Sequence, residues 1–228
     1  MELLEKSLFF GVAISLLGYM VGVYIQSKLP YPIFNPMLIG SVFVIVVLGV
    51  FKIDYEVYKK GANYLSYFLT PATVCLAIPL YKQISLLKKN VVAIFGGILA
   101  GTLGHLVTIV LLGAFLRLDS KIIISALSKS VTMPIALGIS GEVGGIEAVT
   151  IVGVTIAGLT GAIFGPFILK VFKIQEPIAQ GLAIGTASHA MGTSKMVEVG
   201  QVQAAMSSVA IVITGLLTVI LVPIYLSI

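Results

Sequence analysis

The sequence predicts an all-α protein, a polytopic bundle of transmembrane helices in which several helices are broken or re-entrant. The first observation behind this prediction is composition. Hydrophobic residues make up 58% of the chain and charged residues 10%, whereas about a quarter of a soluble domain is charged. The second is the spacing of the charges, because seven stretches of about 18 to 30 residues contain no Asp, Glu, Lys or Arg and about 20 residues cross a bilayer. A transmembrane β-barrel would show shorter segments of alternating polarity.

Five segments are predicted to be ordinary spans because they are rich in Leu, Ile, Val and small residues. They are 7–25, 33–51, 90–116, 147–170 and 203–226. The loops are too short to hold a soluble domain, so residues 1–228 are predicted to form a single transmembrane domain. The first stretch lacks a small-residue cleavage pattern and leads straight into another span, which indicates a retained helix. We expect a multi-pass protein of the cell membrane.

Three further segments, 62–81, 121–140 and 177–198, combine apolar residues with Pro or Gly. Proline removes a backbone donor and clashes with the preceding turn, and glycine loosens a helix. The predicted structural breaks are Pro71, Pro79, Pro134 and Gly192. Non-helical backbone at membrane depth persists only where protein or a watery cavity covers it. The breaks of the last two segments are therefore expected to face one another inside the protein.

Topology and internal repetition remain open. Segment 62–81 either crosses the membrane or re-enters on one side, and the positive-inside rule favours re-entry because it groups the lysines of 82–89 with those of 52–60. The run AGTLG at 100–104 is echoed by AGLTG at 157–161. Such duplication is typical of secondary transporters, although small residues also recur in any tightly packed bundle. On the first interpretation, glycines line contacts between moving elements: Gly101, Gly104, Gly158 and Gly161.

Composition excludes several kinds of site. A lone cysteine, Cys75, gives neither a disulfide framework nor a thiolate cluster, and two histidines are too few for a histidine-rich metal site. The net charge of +5 comes from Lys and Arg scattered through short loops, which is typical of topology signals and not of a nucleic-acid-binding face. No cofactor, metal or nucleic-acid partner is predicted. The expected surroundings are the lipid bilayer.

The run GTASHAMGTSKMVE at 185–198 is the first candidate site. An ionisable group inside a span costs about 2.5 to 3.5 kcal/mol on insertion scales, and His189 and Lys195 lie here beside the hydroxyls of Thr193 and Ser194. A broken helix would add free N–H groups and a positive dipole end. We predict that this run binds a small anion, with His189 as the candidate for proton coupling. The alternative is that Lys195 extends to the headgroups and His189 only forms a hydrogen bond with a neighbouring carbonyl.

The run SKSVTMP at 128–134 is the second candidate site, because it places the cation of Lys129 and the hydroxyls of Ser130 and Thr132 just before Pro134. These are the same ingredients, so the two runs could face one cavity. Alternatively, Lys129 lies near a membrane surface and the hydroxyls bond carbonyls of their own helix. His105, in the middle of an apolar stretch, is interpreted as a bundle-interior residue, with proton transfer as the alternative.

An enzyme is not predicted. The run GISG at 138–141 has the G-x-S-G form of rhomboid intramembrane proteases, and His189 could complete a Ser–His dyad. Ser140 is followed closely by Glu142 and a Gly-Gly loop. This context indicates the end of an element and not a serine buried at the head of one.

Three motifs, in this order, resemble the LrgB/CidB family over nearly the whole chain. They are PATVCLAIPLYKQ, then SKSVTMPIALGIS followed by GGIEAVT, then GLAIGTASHAMGTSKMVEVG with a closing AAMSSVAI. Family members typically have LGPATVALAVPLY in the first motif and Pro-Lys-Ser and Thr-Thr-Pro in the second. Here Leu69-Thr70 replaces Leu-Gly, Ser128 replaces the proline and Met133 replaces the second threonine.

The resemblance implies a bacterial or archaeal inner-membrane protein, often paired with a smaller four-span LrgA/CidA partner. Bacterial members were named as holin- and antiholin-like regulators of murein hydrolase export and autolysis. The plant relative is the plastid glycolate/glycerate translocator, and bacterial relatives are associated with pyruvate uptake. With the candidate anion site, this predicts a transporter of a small 2-hydroxy or 2-keto monocarboxylate, proton-coupled or exchanging, that forms homo-oligomers. The alternative is an antiholin-like regulator without a transported solute.

Overall fold

The structure is a computed structural model that describes residues 9–29, 31, 34–68, 71, 78, 81 and 84–227. Within these ranges the regular structure is helical and contains no strand. Four helices are long and apolar enough to cross a membrane: Phe10–Lys28, Val91–Phe115, Glu147–Val171 and Gln201–Leu226. The predicted all-α polytopic membrane fold is confirmed. The chain forms two compact units, 1–75 and 76–228.

The first unit contains helices α1 (Phe10–Lys28), α2 (Pro36–Phe51) and α3 (Tyr55–Ser66). Glycines bring the backbones together, because Gly18 lies against Gly40 and Gly22 lies against Pro36. The residue later in α1 contacts the residue earlier in α2, so α1 and α2 are antiparallel. Close backbone approach through small residues is the usual packing of membrane helices.

Capping residues fix where two of these helices begin. The side chain of Asn35 accepts a hydrogen bond from the Met37 N–H at 2.9 Å, and Pro36 occupies the first turn of α2. Asp54 caps α3 in the same way, accepting from the Glu56 N–H at 2.8 Å. Both side chains satisfy a backbone donor that the helix leaves free.

The second unit supplies the remaining helices: α4 (Ile84–Lys89), α5 (Val91–Phe115), α6 (Ser120–Leu127), α7 (Met133–Glu142), α8 (Glu147–Val171), α9 (Pro177–Val199) and α10 (Gln201–Leu226). Five of the predicted spans thus correspond to α1, α2, α5, α8 and α10. The segment 121–140 is split into α6 and α7, and α9 is interrupted internally.

The helices α6 and α7 form a re-entrant hairpin, here called the first hairpin, with its tip at 128–132. Helix α6 runs antiparallel to α5, because Gly113 lies against Ile123 and His105 lies against Leu127. Helix α7 then returns alongside α6. A Cβ atom placed on Gly145, just beyond α7, would lie 3.1 Å from the Ser125 hydroxyl in α6.

Helix α9 is the second hairpin, because its chain turns back at Ser188 and His189. Residues 184 and 192 would be about 12 Å apart along a straight helix. Here a Cβ atom placed on Gly192 would lie 2.8 Å from the Ile184 side chain and 3.4 Å from its carbonyl oxygen. Gly192 is thus not itself the break but the residue whose small size lets the two arms pack.

The two hairpins enter the second unit from opposite ends. We name these the Asn90 end (88–90, 170–177 and 195–201) and the Asp119 end (115–121 and 141–147). Helix α5 runs from the first to the second, α8 returns, and α10 runs parallel to α5 and to the first arm of α9. The first hairpin enters from the Asp119 end and the second from the Asn90 end.

The structure corrects the prediction for Pro134. This proline was expected to break a helix, but it lies in the first turn of α7. Proline is favoured there because its missing N–H is one that the helix would leave unbonded. The interruption lies earlier, in the residues that follow Leu127.

Pro71 is helical and exposed in the first unit. Pro79 lies outside the described residues, as does half of segment 62–81. The choice between a crossing and a re-entrant segment there stays a prediction, and so does the internal repeat.

Candidate functional site

The two hairpin tips meet beside the middle of α8. A Cβ atom placed on Gly153 would lie 3.6 Å from the Lys129 Cβ atom, in the tip of the first hairpin. The next residue, Val154, has its carbonyl oxygen 3.0 Å from Nε2 of His189, in the tip of the second. Ser130 and His189 are 59 residues apart in the chain. The two candidate runs that contain them are nevertheless adjacent in space.

Two cavities reach this point. The first, about 840 Å³, lies between α5 and α9, and the second, about 560 Å³, lies between α8 and α9. Both volumes fall within the range of small-molecule sites. The two cavities share four lining residues: Lys129, Ile174, Ala183 and Ala187. Lys129 is therefore accessible from both sides of the first arm of α9.

Lys129 is the cation of this site. Its Nζ donates a hydrogen bond to the buried hydroxyl of Ser130 at 3.1 Å. Among the described residues, no carboxylate lies within ion-pair distance of Lys129. Glu176 lines the first cavity, but at the Asn90 end, where its carboxylate caps α9 by accepting from the Ala179 N–H. A partly buried cation without a counter-ion among the described residues is costly within a membrane protein, which makes Lys129 a candidate site residue.

His105 lies beside this candidate site. The sequence indicated a bundle-interior residue, with proton transfer as the alternative. Its Nε2 lies 3.2 Å from the carbonyl oxygen of Leu127, the last residue of α6. His105 therefore contacts the backbone that leads directly to Lys129, and it lines the first cavity with Lys129. The available signal was a histidine in the middle of a charge-free stretch.

The backbone at His189 has φ 43° and ψ −143°, inside the region that residues other than glycine rarely adopt. Such conformations cost about 1 to 3 kcal/mol and persist where surrounding contacts hold them. The hydrogen bond from the ring to Val154 is one such contact. The buried hydroxyl of Thr193 adds another, donating to the His189 carbonyl at 2.9 Å.

Glycines of α8 provide the space for this break. A Cβ atom placed on Gly158 would lie 2.7 Å from His189 Cε1, and one placed on Gly161 would lie within bonding distance of the Ser188 hydroxyl. A Cβ atom placed on Gly101, in α5, would lie 3.0 Å from the methyl carbon of Thr186. Gly104 differs, because a Cβ atom there would meet no described atom within 4 Å.

Three predicted site residues have other partners. Lys195 forms an ion pair with Glu198 at 2.5 Å, one turn later in the same helix arm. Ser194 is exposed and donates to the Met191 carbonyl. Thr193 is fully buried, with its Oγ1 2.6 Å from the hydroxyl of Ser207 in α10. None of the three lines either cavity.

Lys195 and Ser194, around which the sequence predicted an anion site, therefore lie outside both cavities, whereas Lys129 lines both. Ser130 keeps its predicted place beside that cation. Thr132 is half-buried at the N-cap position of α7, where its side chain makes no cap hydrogen bond.

Ser140 and His189, the alternative Ser–His dyad, have different partners. The Ser140 hydroxyl lies 2.8 Å from the Thr150 hydroxyl, and the described ring contact of His189 is with Val154. Ser140 lies in the last turn of α7, which is the end of an element as the sequence indicated, and it is buried there.

The tips offer hydrogen-bond donors that could bind an anion. The first turns of α7 and of the second arm of α9 start there, so free backbone N–H groups lie near Lys129, while α6 and the first arm of α9 end at the same tips and bring carbonyl groups. Discontinuous helices whose ends point at a solute from opposite directions are a feature of secondary transporters.

Comparisons with known proteins agree with the motif resemblance. The model of the LrgB-like family matches residues 15–228. Proteins named antiholin-like protein LrgB from Bacillus mycoides (strain KBAB4), Bacillus cereus (strain B4264) and Bacillus anthracis (strain CDC 684 / NRRL 3495) are each 36% identical over 219 residues. Each alignment covers 96% of this chain and 95% of the relative. No solved structure matches the chain.

Proposed function

The chain belongs to the LrgB-like family of multi-pass cell-membrane proteins, and from that premise we propose that it carries small organic anions across the membrane. The proposed solutes are 2-hydroxy or 2-keto monocarboxylates. The observation that carries the proposal is Lys129, which faces two cavities without a carboxylate partner among the described residues. An anionic solute would supply the missing charge.

The chemistry around Lys129 supports a carboxylate in particular. The ammonium group and the Ser130 hydroxyl are donors, and the free backbone N–H groups at the start of α7 lie nearby. The rest of the lining is largely small and apolar, including Ala183 and Ala187. Such a site would bind a solute with one charged group and a short carbon chain. His189 is the proposed residue for proton coupling, since imidazole titrates near neutral pH.

The name of the relatives supports a second function more directly than it supports a carrier. They are named antiholin-like, so we also propose, as the second candidate, an antiholin-like regulator of cell lysis without a transported solute. That name is not the name of an enzyme. A regulator of this kind has no need for an unpaired cation between two broken helices, and this is why Lys129 favours the carrier.

Uptake into proteoliposomes tests the carrier. The purified protein would be reconstituted and offered labelled lactate, pyruvate, glycolate and glycerate. We expect saturable uptake of at least one solute, and a higher half-saturating concentration for Lys129→Ala. A charge-assisted hydrogen bond contributes about 1.5 to 3 kcal/mol, so losing it should weaken binding roughly 10- to 150-fold. Lys195→Ala is the matched control, since it removes a lysine that is paired with Glu198.

The outcome separates three possibilities. A strong effect of Lys195→Ala with none of Lys129→Ala would place the site where the sequence alone predicted it. Absence of uptake for all four solutes would count against the carrier. If the wild-type chain then altered autolysis of its host, and Lys129→Ala altered it equally, the antiholin-like function would be supported.

The proposed partners need a separate test. A four-span LrgA/CidA-type protein and a second copy of this chain are both proposed to associate with it. Co-purification from membranes that contain both proteins, followed by mass determination in mild detergent, would show either assembly. Uptake would also be repeated with the four-span protein present, so that a required partner is not mistaken for inactivity.

A further inference from the structure

Both cavities extend from Lys129 to the same end of the second unit. The first is lined at that end by Asn90, Ala93 and Glu176, and at its other end by His105 and Lys129. The second also reaches the Asn90 end, where Ile168 and Leu169 line it. A solute at Lys129 could therefore leave towards the Asn90 end.

The opposite direction is closed by packed side chains. On the Asp119 side of Lys129, apolar residues from both arms of the first hairpin, α8 and α10 are almost completely buried. They are Leu127, Val131, Ala136, Ile139, Val154 and Val222, each 4% exposed or less. Tightly packed interiors leave no path of the size of a solute.

Beyond this apolar layer lies a hydroxyl cluster, defined by Ser125 in α6, Ser140 in α7 and Thr150 in α8. All three are fully buried. The Thr150 hydroxyl lies 2.8 Å from the Ser140 hydroxyl and 3.2 Å from the Ser125 carbonyl oxygen. The Ser125 hydroxyl accepts from the Ile146 N–H at 2.7 Å. These bonds tie the first hairpin to α8.

Gly145 shows how tightly the hydroxyl cluster is packed. A Cβ atom placed there would lie 3.1 Å from the Ser125 hydroxyl and closer still to the Ser140 hydroxyl. The Gly145 N–H donates to the Ser140 carbonyl at 2.8 Å. The loop between α7 and α8 is thus drawn onto the same three side chains. Moving the first hairpin away from α8 requires breaking this set of buried hydrogen bonds together.

The charges assign the two ends to the two sides of the membrane. Among the described residues of the second unit, five lysines lie at the Asn90 end: Lys88, Lys89, Lys170, Lys173 and Lys195. Two positive residues lie at the Asp119 end: Arg117 and Lys121. The excess of Lys and Arg in short loops faces the cytoplasm.

We infer that both cavities open to the cytoplasm, and that the hydroxyl cluster of Ser125, Ser140 and Thr150 closes the route from Lys129 to the outside. The hydroxyl cluster acts as a gate only if the chain is the proposed carrier, since a carrier must expose its site to each side in turn. In this respect the inference rests on the proposed function. Opening to the outside then requires the first hairpin to separate from α8. The inference predicts that Lys129 is accessible from the cytoplasm and inaccessible from the outside.

Cysteine labelling from each side of the membrane tests this directly. Ala187 is exposed and lines both cavities beside Lys129, so the reporter is Ala187→Cys in a full-length chain that carries Cys75→Ser. A charged, membrane-impermeant maleimide would be added to inside-out and right-side-out vesicles. We expect labelling from the cytoplasmic side to be at least about tenfold faster, because a minor conformation is populated to about 10% or less.

Thr150→Val, added to the reporter, then tests the gate. It keeps the branched shape of the side chain but removes the hydroxyl, and external labelling should rise about tenfold. That factor corresponds to about 1.4 kcal/mol, the order of one buried hydrogen bond. Thr155→Val is the matched control, because Thr155 lies on the same helix and its hydroxyl donates to the Ile151 carbonyl one turn earlier.

Faster labelling from the outside in the parent reporter would overturn the assignment of the ends. Equal external labelling in Thr150→Val and Thr155→Val would overturn the gate. If Thr150→Val does not reach the membrane, Ser140→Ala replaces it, because that change removes the hydroxyl partner of Thr150, and the same comparison applies. Labelling requires no solute. A chain that labels as expected but takes up no anion would therefore sink the carrier and leave this inference standing.

Discussion

Replacing Gly161 by alanine tests the contact between α8 and the second hairpin. The added Cβ atom would lie 2.1 Å from the Ser188 Cβ atom, which is about 1.4 Å closer than an ordinary contact of about 3.5 Å. Ser188 is fixed in the break, so the hairpin tip must move. Overpacking of this kind costs about 1 to 3 kcal/mol, against a gain of up to about 1 kcal/mol from helix propensity.

Gly104→Ala is the matched control, because it makes the same change in a membrane helix where the new Cβ atom meets no described atom within 4 Å. We expect Gly104→Ala to be neutral or slightly stabilising. For Gly161→Ala we expect a lower melting temperature in detergent and uptake reduced roughly 5- to 150-fold, the factor that corresponds to 1 to 3 kcal/mol. Both are measured on the same preparations by size-exclusion chromatography after heating and by proteoliposome uptake. Equal stability and equal uptake of the two variants would refute the proposed packing of the break against α8.

Substitutions at His189, Thr193 and His105 test side chains around the tips, with Ser194→Ala as a control. His189→Gln should flatten the dependence of uptake on pH between about 5 and 8 if the ring carries the coupled proton, and an unchanged profile would assign coupling elsewhere. Thr193→Val should destabilise the protein by about 1 to 3 kcal/mol, because it leaves the buried Ser207 hydroxyl without this partner. Ser194→Ala, at an exposed neighbour, should change neither stability nor uptake. His105→Ala should raise the half-saturating solute concentration. His105→Gln should partly restore it, because an amide N–H can still donate to the α6 carbonyl. An equal loss in both variants would argue against a role for this hydrogen bond.

Local signals in the sequence were sufficient for the membrane spans and the existence of the breaks. Charge-free stretches locate α5, α8 and α10, because length and apolarity alone decide whether a helix can cross hydrocarbon. Helix starts also follow from local chemistry, as at Asn35, whose side chain caps the next residues of the chain. The pairing of Lys195 with Glu198 was visible in the sequence as an i,i+3 spacing. The predicted anion site did not include this ion pair, because it treated Lys195 as a cation left unpaired in the membrane interior.

The direction of the chain after each break was decided only by tertiary structure. A run such as GTASHAMG indicates an interruption, but it does not say whether the next arm continues or returns, since both keep the same local backbone hydrogen bonds. The return of α9 is set by contacts across the hairpin, such as Gly192 with Ile184. Because the second arm returns, Lys195 is carried to the Asn90 end and away from the cavities.

The composition of the site was decided in the same way. Local sequence supplied Lys129 and Ser130 as neighbours, but His105 joins them through a contact with Leu127, 22 residues later in the chain. The AGTLG and AGLTG runs look alike, yet Gly161 contacts the hairpin tip, whereas a Cβ atom on Gly104 would meet no described atom within 4 Å. The polar, small and helix-breaking residues within the membrane can be identified from the sequence. Which of them are in contact depends on the packing of α5, α8 and the two hairpins. Contacts between distant segments depend on chain direction and on the shape of both partners, and no local sequence pattern contains that information.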